Sequence, residues 1–400
     1  MSVVTMATAE STTPLPLRAP RTIRVGLLGL GNVGQAVARS IEVTASVLRE
    51  RGLALRVDAA LVRDPRRSRR CPPVPRLTSN PEAFLRGRYD VVIEALGGTE
   101  PARTLVARLL GRGVAVVSAN KALLAEHGDS LQRIARRRRA AFRYEAAAIA
   151  GVPFIGTFMR RPLVASLSTL TGIVNGTSNY VLTSIDRGEA TSVAEALHRA
   201  QALGYAEPDA SFDVSGRDAL DKLILLLREC AGVAANRRAI DVTGIEAVTA
   251  DDIAAAHRHG GTIKPLVHAE ISEMLNAWVG PAFVPFGHPL ATVDGALNGI
   301  RLASRYVPDL FFSGPGAGPD VTAATLLDDA VEIASDPATL RGALNGSLPT
   351  EPRVATLPVA SAPSRWFVRT GASWRLTDSI ERASLQPTLG PGALAIRAVC

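Results

Sequence analysis

Lysine is nearly absent. Of the 45 basic residues in this 400-residue chain, only Lys121, Lys222 and Lys264 are lysines; the other 42 are arginines. Arginine stays protonated in any protein, whereas a lysine can be tuned to give and take a proton, so each survivor marks a candidate for such work. A GC-rich genome gives the same bias without that purpose, and for Lys264, in GGTIKPL, the plain explanation suffices. Cysteine is scarce too. Cys71, Cys230 and Cys400 form no CxxC pair and are odd in number, which excludes the usual zinc spacings and points to a reducing cytoplasm. Aromatics make up 4% of the chain, leaving few stacking platforms for nucleic acid in spite of a net charge of +8. The arginines cluster only briefly, at 66–70 and 136–139, so the basic charge suits an anionic small ligand better than a nucleic acid, and the 136–139 cluster suits the negative C-terminal end of a surface helix. No apolar run approaches the roughly 20 residues of a membrane span, and the N-terminus lacks the basic start and apolar core of a signal peptide.

What is present is an ordinary soluble composition, 47% hydrophobic and 20% charged, at a length that suits two domains. Residues 1–21 read as a flexible leader. From 22 to 150, short apolar strands (Ile23–Leu28, Leu55–Val62, Asp90–Ala95, Val114–Ser118, Ala141–Ala146) alternate with helices, the first running from GLGNVG to about Leu48. That alternation predicts an α/β doubly wound parallel sheet, a Rossmann nucleotide-binding domain. From 151 to 318 the pattern is mixed α+β: a strand Leu167–Val174 ending in NGTSNY, helices near 192–203 and 218–232, then short apolar stretches around 262–286 and 300–312. Residues 319–345 hold a helix returning to the first domain, and 346–400 form a tail of weak periodicity.

Gly29-Leu30-Gly31-Asn32-Val33-Gly34 is a GxGxxG placed after a strand and opening a helix. The first glycine permits the tight turn, the second lets amides approach a pyrophosphate, and the third packs helix on strand. In this context the motif predicts a dinucleotide site. Arg63 at the end of the second strand, with more arginines behind it, favours NADP, while Asp64 keeps NAD open. Gly97 and Gly98 after DVVIEA, and Ser118 before Lys121, should face the same crevice.

The second concentration of chemistry is acidic. Glu207, Asp209, Asp213, Asp218 and Asp221 fall in the stretch from Glu207 to Lys222, against Arg217 and Lys222 alone. Leu220, Leu223, Ile224 and Leu227 form a helical stripe, which sets Asp218 and Lys222 one turn apart on a largely buried helix. Burial lowers an amine's pKa and nearby carboxylates raise it, terms that together can poise Lys222 for proton transfer. The plainer alternative is a capping box at Ser215–Asp218 and a solvated ion pair.

These motifs, GLLGLGNVG, VVIEALGGTEPA, VVSANKALLAEHG, YEAAAIAGVP, GIVNGTSNYVLT, AQALGYAEPDASFDVSGRDALDK and FSGPGAGPDVTAATLLDDA, resemble those of homoserine dehydrogenases in order and spacing over residues 22 to 335. The resemblance implies NAD(P)-dependent interconversion of L-homoserine and L-aspartate 4-semialdehyde in threonine, methionine and isoleucine biosynthesis. It implies Lys222 as general acid and base, assisted by Lys121. Glu207, Asp218 and Asp213 would hold the amino acid, with Asn175, Gly176, Thr177, Gly204 and Tyr205 around it. It further implies that Gly316 and Gly318 return to the cofactor, that carbonyls of Glu145, Ala148, Ala150 and Val152 bind a sodium ion, and that the protein is a cytoplasmic homodimer. The chain departs from the family at Asp221, where histidine is frequent, and in SRWFVRTGASWRLTD, a shortened echo of a regulatory ACT domain. Two other functions compatible with the residues are reduction of another small amino aldehyde and non-catalytic sensing of NADPH.

Overall fold

The computed structural model describes residues 19–335, apart from 153 and 161–166, and residues 355–356, 363–385, 387, 389 and 393–399. The first sheet has six parallel strands in the order β3-β2-β1-β4-β5-β6. They are β1 (Arg21–Leu28), β2 (Leu53–Leu61), β3 (Leu77–Thr78), β4 (Val91–Glu94), β5 (Ala115–Ser118) and β6 (Phe142–Arg143). Helices α1 (Asn32–Val43), α2 (Ala45–Glu50), α3 (Pro81–Leu85), α4 (Ala102–Gly111) and α5 (Lys121–Arg138) connect them. Strand order reverses at β1, and a nucleotide crevice is expected at such a switch point, beyond the carboxyl ends of β1 and β4.

The predicted helix to Leu48 is in fact two. Thr44 leaves helical geometry (φ −90°, ψ 3°) and its hydroxyl donates to Ser40 O at 2.7 Å, a local bond that periodicity does not reveal. The strand expected at Ala141–Ala146 is short as well, because Glu145–Ala147 turns into a single 3₁₀ turn.

After α6 (Ile155–Arg160) a mixed nine-stranded sheet begins. Its strands run β13-β12-β7-β10-β11-β17-β15-β16, with β9 pairing on β11. They span β7 (Leu167–Ile173), β9 (Asp241–Val242), β10 (Gly261–Ile271), β11 (Leu275–Pro285), β12 (Leu297–Ser304), β13 (Leu310–Pro315), β15 (Arg365–Thr370), β16 (Ser373–Leu376) and β17 (Leu394–Ala398). A separate pair joins β8 (Val233–Ala234) to β14 (Ala355–Thr356). Helices α7 (Gly176–Asp186), α8 (Val193–Ala202), α9 (Ser211–Val214), α10 (Arg217–Ala231) and α11 (Ala250–Arg258) accompany this sheet. The described part of the tail continues the sheet: SRWFVRTGASWRLTD makes the β15–β16 hairpin, and β17 lies parallel to β11.

Two cores tie the halves together. Leu123, Leu124 and Leu131 of α5 share one apolar cluster with Leu220, Leu223 and Leu227 of α10, so the domains meet helix against helix. On the far face of the first sheet, α12 (Pro319–Ser335) returns to pack Ala323, Leu326 and Ala330 with Val37 and Ile41 of α1.

Candidate active site

The nucleotide wall is made of backbone. Gly29 has φ +97°, and a Cβ there would lie 2.7 Å from Ala95 O. A Cβ at Gly34 would lie 2.3 Å from Gly29 O, so helix and turn can close only without a side chain. At Gly31 a Cβ would meet nothing within 4 Å. That open space lies at the start of α1, whose N-cap Gly31 has no side-chain cap and whose first turn has no acid. Leu30, Asn32 and Val33 complete the turn. Unclaimed amides, a helix N-terminus and a cradle that a Cβ would fill are what a pyrophosphate needs. Arg63 is exposed at the end of β2. Behind it Asp64 is occupied by its own turn: Oδ1 accepts from Arg66 N at 2.8 Å, and the carbonyl accepts from Arg69 Nη2 at 2.7 Å.

Glu94, at the end of β4, organises the two loops beside this turn. It is fully buried, and burial raises its carboxyl pKa. One oxygen accepts from Ser118 Oγ at 2.5 Å; the other accepts from Leu96 N at 2.8 Å and from Asn120 Nδ2 at 3.3 Å. Asn120 Nδ2 also donates to Gly98 O at 2.7 Å, and its side-chain oxygen caps α5 through Leu123 N. Gly97 and Gly98, at φ +75° and +70°, and Lys121 at the head of α5 are thereby fixed to one buried carboxylate.

The facing wall is made of charge. Asp218 is almost wholly buried and is ion-paired to both Lys121 Nζ and Lys222 Nζ, the latter at 3.4 Å. Lys222 donates to Val174 O at 2.6 Å. Asn175 joins the acids: Nδ2 donates to Asp213 Oδ1 at 2.7 Å and Asp218 Oδ2 at 2.8 Å, while Oδ1 accepts from Ser178 N and caps α7. Burial pushes the Lys222 amine down to about 8, with Asp213 opposing. Lys121 is also pushed down to about 8, by lost hydration first and the charge of Lys222 second, against Asp213, Asp221 and Glu207. Thr177 Oγ1 donates to Tyr205 O at 2.8 Å, drawing the Gly204–Tyr205 turn onto the start of α7, where the Tyr205 ring sits 5.0 Å from that of Tyr180.

Known proteins divide the chain the same way. The family model described as "Homoserine dehydrogenase, NAD binding domain" matches residues 29–145, and that described as "Homoserine dehydrogenase" matches 153–331. A homoserine dehydrogenase of Mycobacterium tuberculosis is 39% identical over 360 residues, covering 84% of this chain and 77% of that one. One from Neisseria gonorrhoeae is 34% identical over 316 residues, 78% of this chain and 72% of the relative. The chain belongs to the homoserine dehydrogenase family. Among solved structures, a homoserine dehydrogenase from Thiobacillus denitrificans superposes with a TM-score of 0.83 at 27% identity, covering 95% of this chain and 99% of the other. The protein is thus an oxidoreductase that uses a nicotinamide nucleotide, with homoserine dehydrogenase function.

Several of the other residues singled out in the sequence have partners of their own in the structure. Ser118 turns its hydroxyl inward to Glu94. Glu207 is exposed on the loop after α8 and reaches the site through its field on Lys121. NGTSNY follows β7: Asn175 caps α7, which starts at Gly176. The capping-box alternative at Ser215 is not what forms, since Gly216 (φ +78°) is the N-cap of α10 and no side chain caps it. Asp221 is paired with Arg237, which offsets its charge beside Lys222. Gly316 presses on Asn298, whose side chain fills the place of a Cβ, and Gly318 (φ +128°) precedes α12.

The loop to which the resemblance assigns sodium is engaged from within. The Glu145 carboxylate accepts from the amides of Phe154, Ile155 and Gly156 at 2.5 to 2.7 Å. Its carbonyl accepts from Ala148 N at 3.2 Å, and Ala150 O accepts from Thr325 Oγ1. Ala148 and Val152 are buried beside them. Two of the four carbonyls thus already accept a hydrogen bond from within the loop or from α12. Sequence reasoning missed Glu94, whose signal was an acid closing an apolar strand.

Proposed function

We propose that this chain interconverts L-homoserine and L-aspartate 4-semialdehyde with NADP as hydride carrier and Lys222 as general acid and base. The observation that carries the reading is the convergence of two amines, each with a pKa near 8, on the buried carboxylate of Asp218. A bound nicotinamide nucleotide supplies the hydride chemistry. The chain does the rest. Asp213, Asp218 and Glu207 hold the substrate ammonium, and the amides of Gly176 and Thr177 at the start of α7 receive its carboxylate. In reduction, protonated Lys222 gives its proton to the aldehyde oxygen as charge builds there, and Lys121 offsets that charge. In oxidation, neutral Lys222 takes the hydroxyl proton. An amine near 8 can serve both directions.

The preference for NADP rests on Arg63 beside an Asp64 already engaged by its turn. Gly316 and Gly318 close over the cofactor from the second domain. No step of the proposal needs a sodium ion. A cytoplasmic homodimer paired through the second domain, serving threonine, methionine and isoleucine synthesis, completes the proposal. Arg237 beside Asp221 supports homoserine over another amino aldehyde, since it offsets the charge of the unfamiliar acid beside Lys222.

The deciding experiment follows NADPH oxidation by L-aspartate 4-semialdehyde in wild type and Lys222→Ala. The expected result is turnover in wild type and a loss of about 10²- to 10⁴-fold in the variant, with NADPH affinity unchanged. Tight NADPH binding without wild-type turnover would point to another aldehyde or to a sensor. Turnover that survives Lys222→Ala would remove the proton role from Lys222.

A further inference from the structure

A second cluster of buried charge lies between the two domains, and the chemistry above makes no use of it. Arg228 follows the buried run Leu225–Leu227 on α10, and its side chain is only 13% exposed. The guanidinium rests on α5 at Gly128, where a Cβ would meet Nη2 at 2.6 Å. Glycine inside a helix costs about 1 kcal/mol relative to alanine; here it makes room for the arginine. Nη1 donates to Leu124 O at 3.3 Å and pairs with Asp129 Oδ1 at 3.3 Å. Nε and Nη2 both meet Glu229 Oε1 at 2.7 Å. The other oxygen of Glu229 accepts from the Tyr144 hydroxyl at 2.8 Å, and Gln132 of α5 donates to that same tyrosine oxygen. Burial, with the Glu229 charge behind it, pushes the Tyr144 phenol well above its usual pKa and keeps it a donor.

The placement of this cluster gives it meaning. Lys121 opens α5, and Leu124 lies one turn further on. Lys222 and Arg228 share α10, about 9 Å apart along its axis. Both lysines meet at Asp218, so the separation of the two amines depends on how α5 lies against α10. We propose that Arg228, seated on Gly128 and held by Glu229 and Tyr144, is a positioning residue that fixes Lys121 relative to Lys222 and Asp218 across the domain boundary. The proposal rests on the lysine roles given above. A buried ion-pair network adds little net stability over apolar packing, and registry is its best-attested use.

The test measures kcat, KM for L-aspartate 4-semialdehyde, NADPH affinity and Tm on the full-length enzyme. Arg228→Met should lower kcat about 10- to 100-fold, the range for a misplaced catalytic group, with KM moving no more than about threefold and NADPH affinity unchanged. Arg228→Lys keeps the charge but not the fork and should recover part of the loss. In a Lys121→Ala background, Arg228→Met should change kcat by less than about threefold, because no lysine remains to be placed. Should Arg228→Met fail to fold, Gly128→Ala lifts the guanidinium while every charge stays, and should reproduce the fall in kcat. Wild-type kcat with only a lowered Tm would overturn the proposal, as would a full additive loss in the Lys121→Ala background. Unchanged kcat in Lys121→Ala itself would overturn both the role of Lys121 and the clamp, which separates the two failures.

Discussion

The two walls of the cleft are built from different materials. Across from α1 the chain offers glycines and amides: Gly29, Gly31 and Gly34 shape a turn with no acid in the following helical turn. Around α10 it offers charge, with Asp218 and Lys222 buried: Asp218, Lys222, Lys121 and Asp213 lie within a few ångströms, and the amide of Asn175 bridges the two acids. A dinucleotide brings its own charges and a large contact surface, so its wall needs shape and free donors. The amino acid is small and its reaction moves a proton, so its wall needs fixed charges in a low dielectric, where each counts for more. It follows that damage to one wall should appear in binding, and damage to the other in turnover and pH.

The largest test of that division is Gly34→Ala. The added methyl would sit 2.3 Å from Gly29 O, a backbone atom that can move only by opening the turn. Strain of about 1–3 kcal/mol translates into about 5- to 150-fold weaker nucleotide binding. NADPH titration by fluorescence should show that loss, while kcat at saturating NADPH stays near wild type. A fall in kcat with binding intact would mean that the glycine turn also places the reacting atoms.

Next in size is pH. In the proposed reaction Lys222 is protonated for reduction, and its amine sits near 8. Reductive kcat/KM should therefore hold below about pH 8 and fall about tenfold per unit above it, while the oxidative rate rises to the same point and levels. Lys121 is coupled to it by like charge, so the apparent values belong to the pair. NADPH affinity measured across the same range should stay flat. A matching break in affinity would carry the charge across to the other wall.

How far the sequence reveals each wall follows from the same contrast. GLGNVG is legible because its work is local: three glycines at fixed spacing serve one turn, and strand and helix flank them. Asn175 is legible only in part. It is the N-cap of a helix, but its amide also links Asp213 and Asp218, 38 and 43 residues away. Spacing cannot show such a partnership. The long β10–β11 hairpin reads as broken stretches because Pro265 and Pro281 interrupt both runs, and the fold sets them directly opposite each other. Glu94, Gly128 and Arg228 stand out from their apolar or helical surroundings, yet only the packing of α5 on α10 and of the β4 and β5 loops shows what each one holds.

In the proposed reading Arg63 brings charge to the nucleotide wall, and it gives the smallest effect. It is exposed, so its pairing with a 2′-phosphate is screened by solvent and salt. Arg66 and Arg67 stand beside it, and Asp64 is held by the amide of Arg66 rather than free for a ribose hydroxyl. Arg63→Ser should therefore weaken NADPH by about 3- to 10-fold, the worth of roughly 1 kcal/mol, and leave NADH untouched. The ratio of kcat/KM for the two nucleotides measures it directly, and the gap should narrow as salt rises. An equal loss for both nucleotides would place Arg63 at the pyrophosphate. In that case the nucleotide wall would select its ligand by charge as well as by shape.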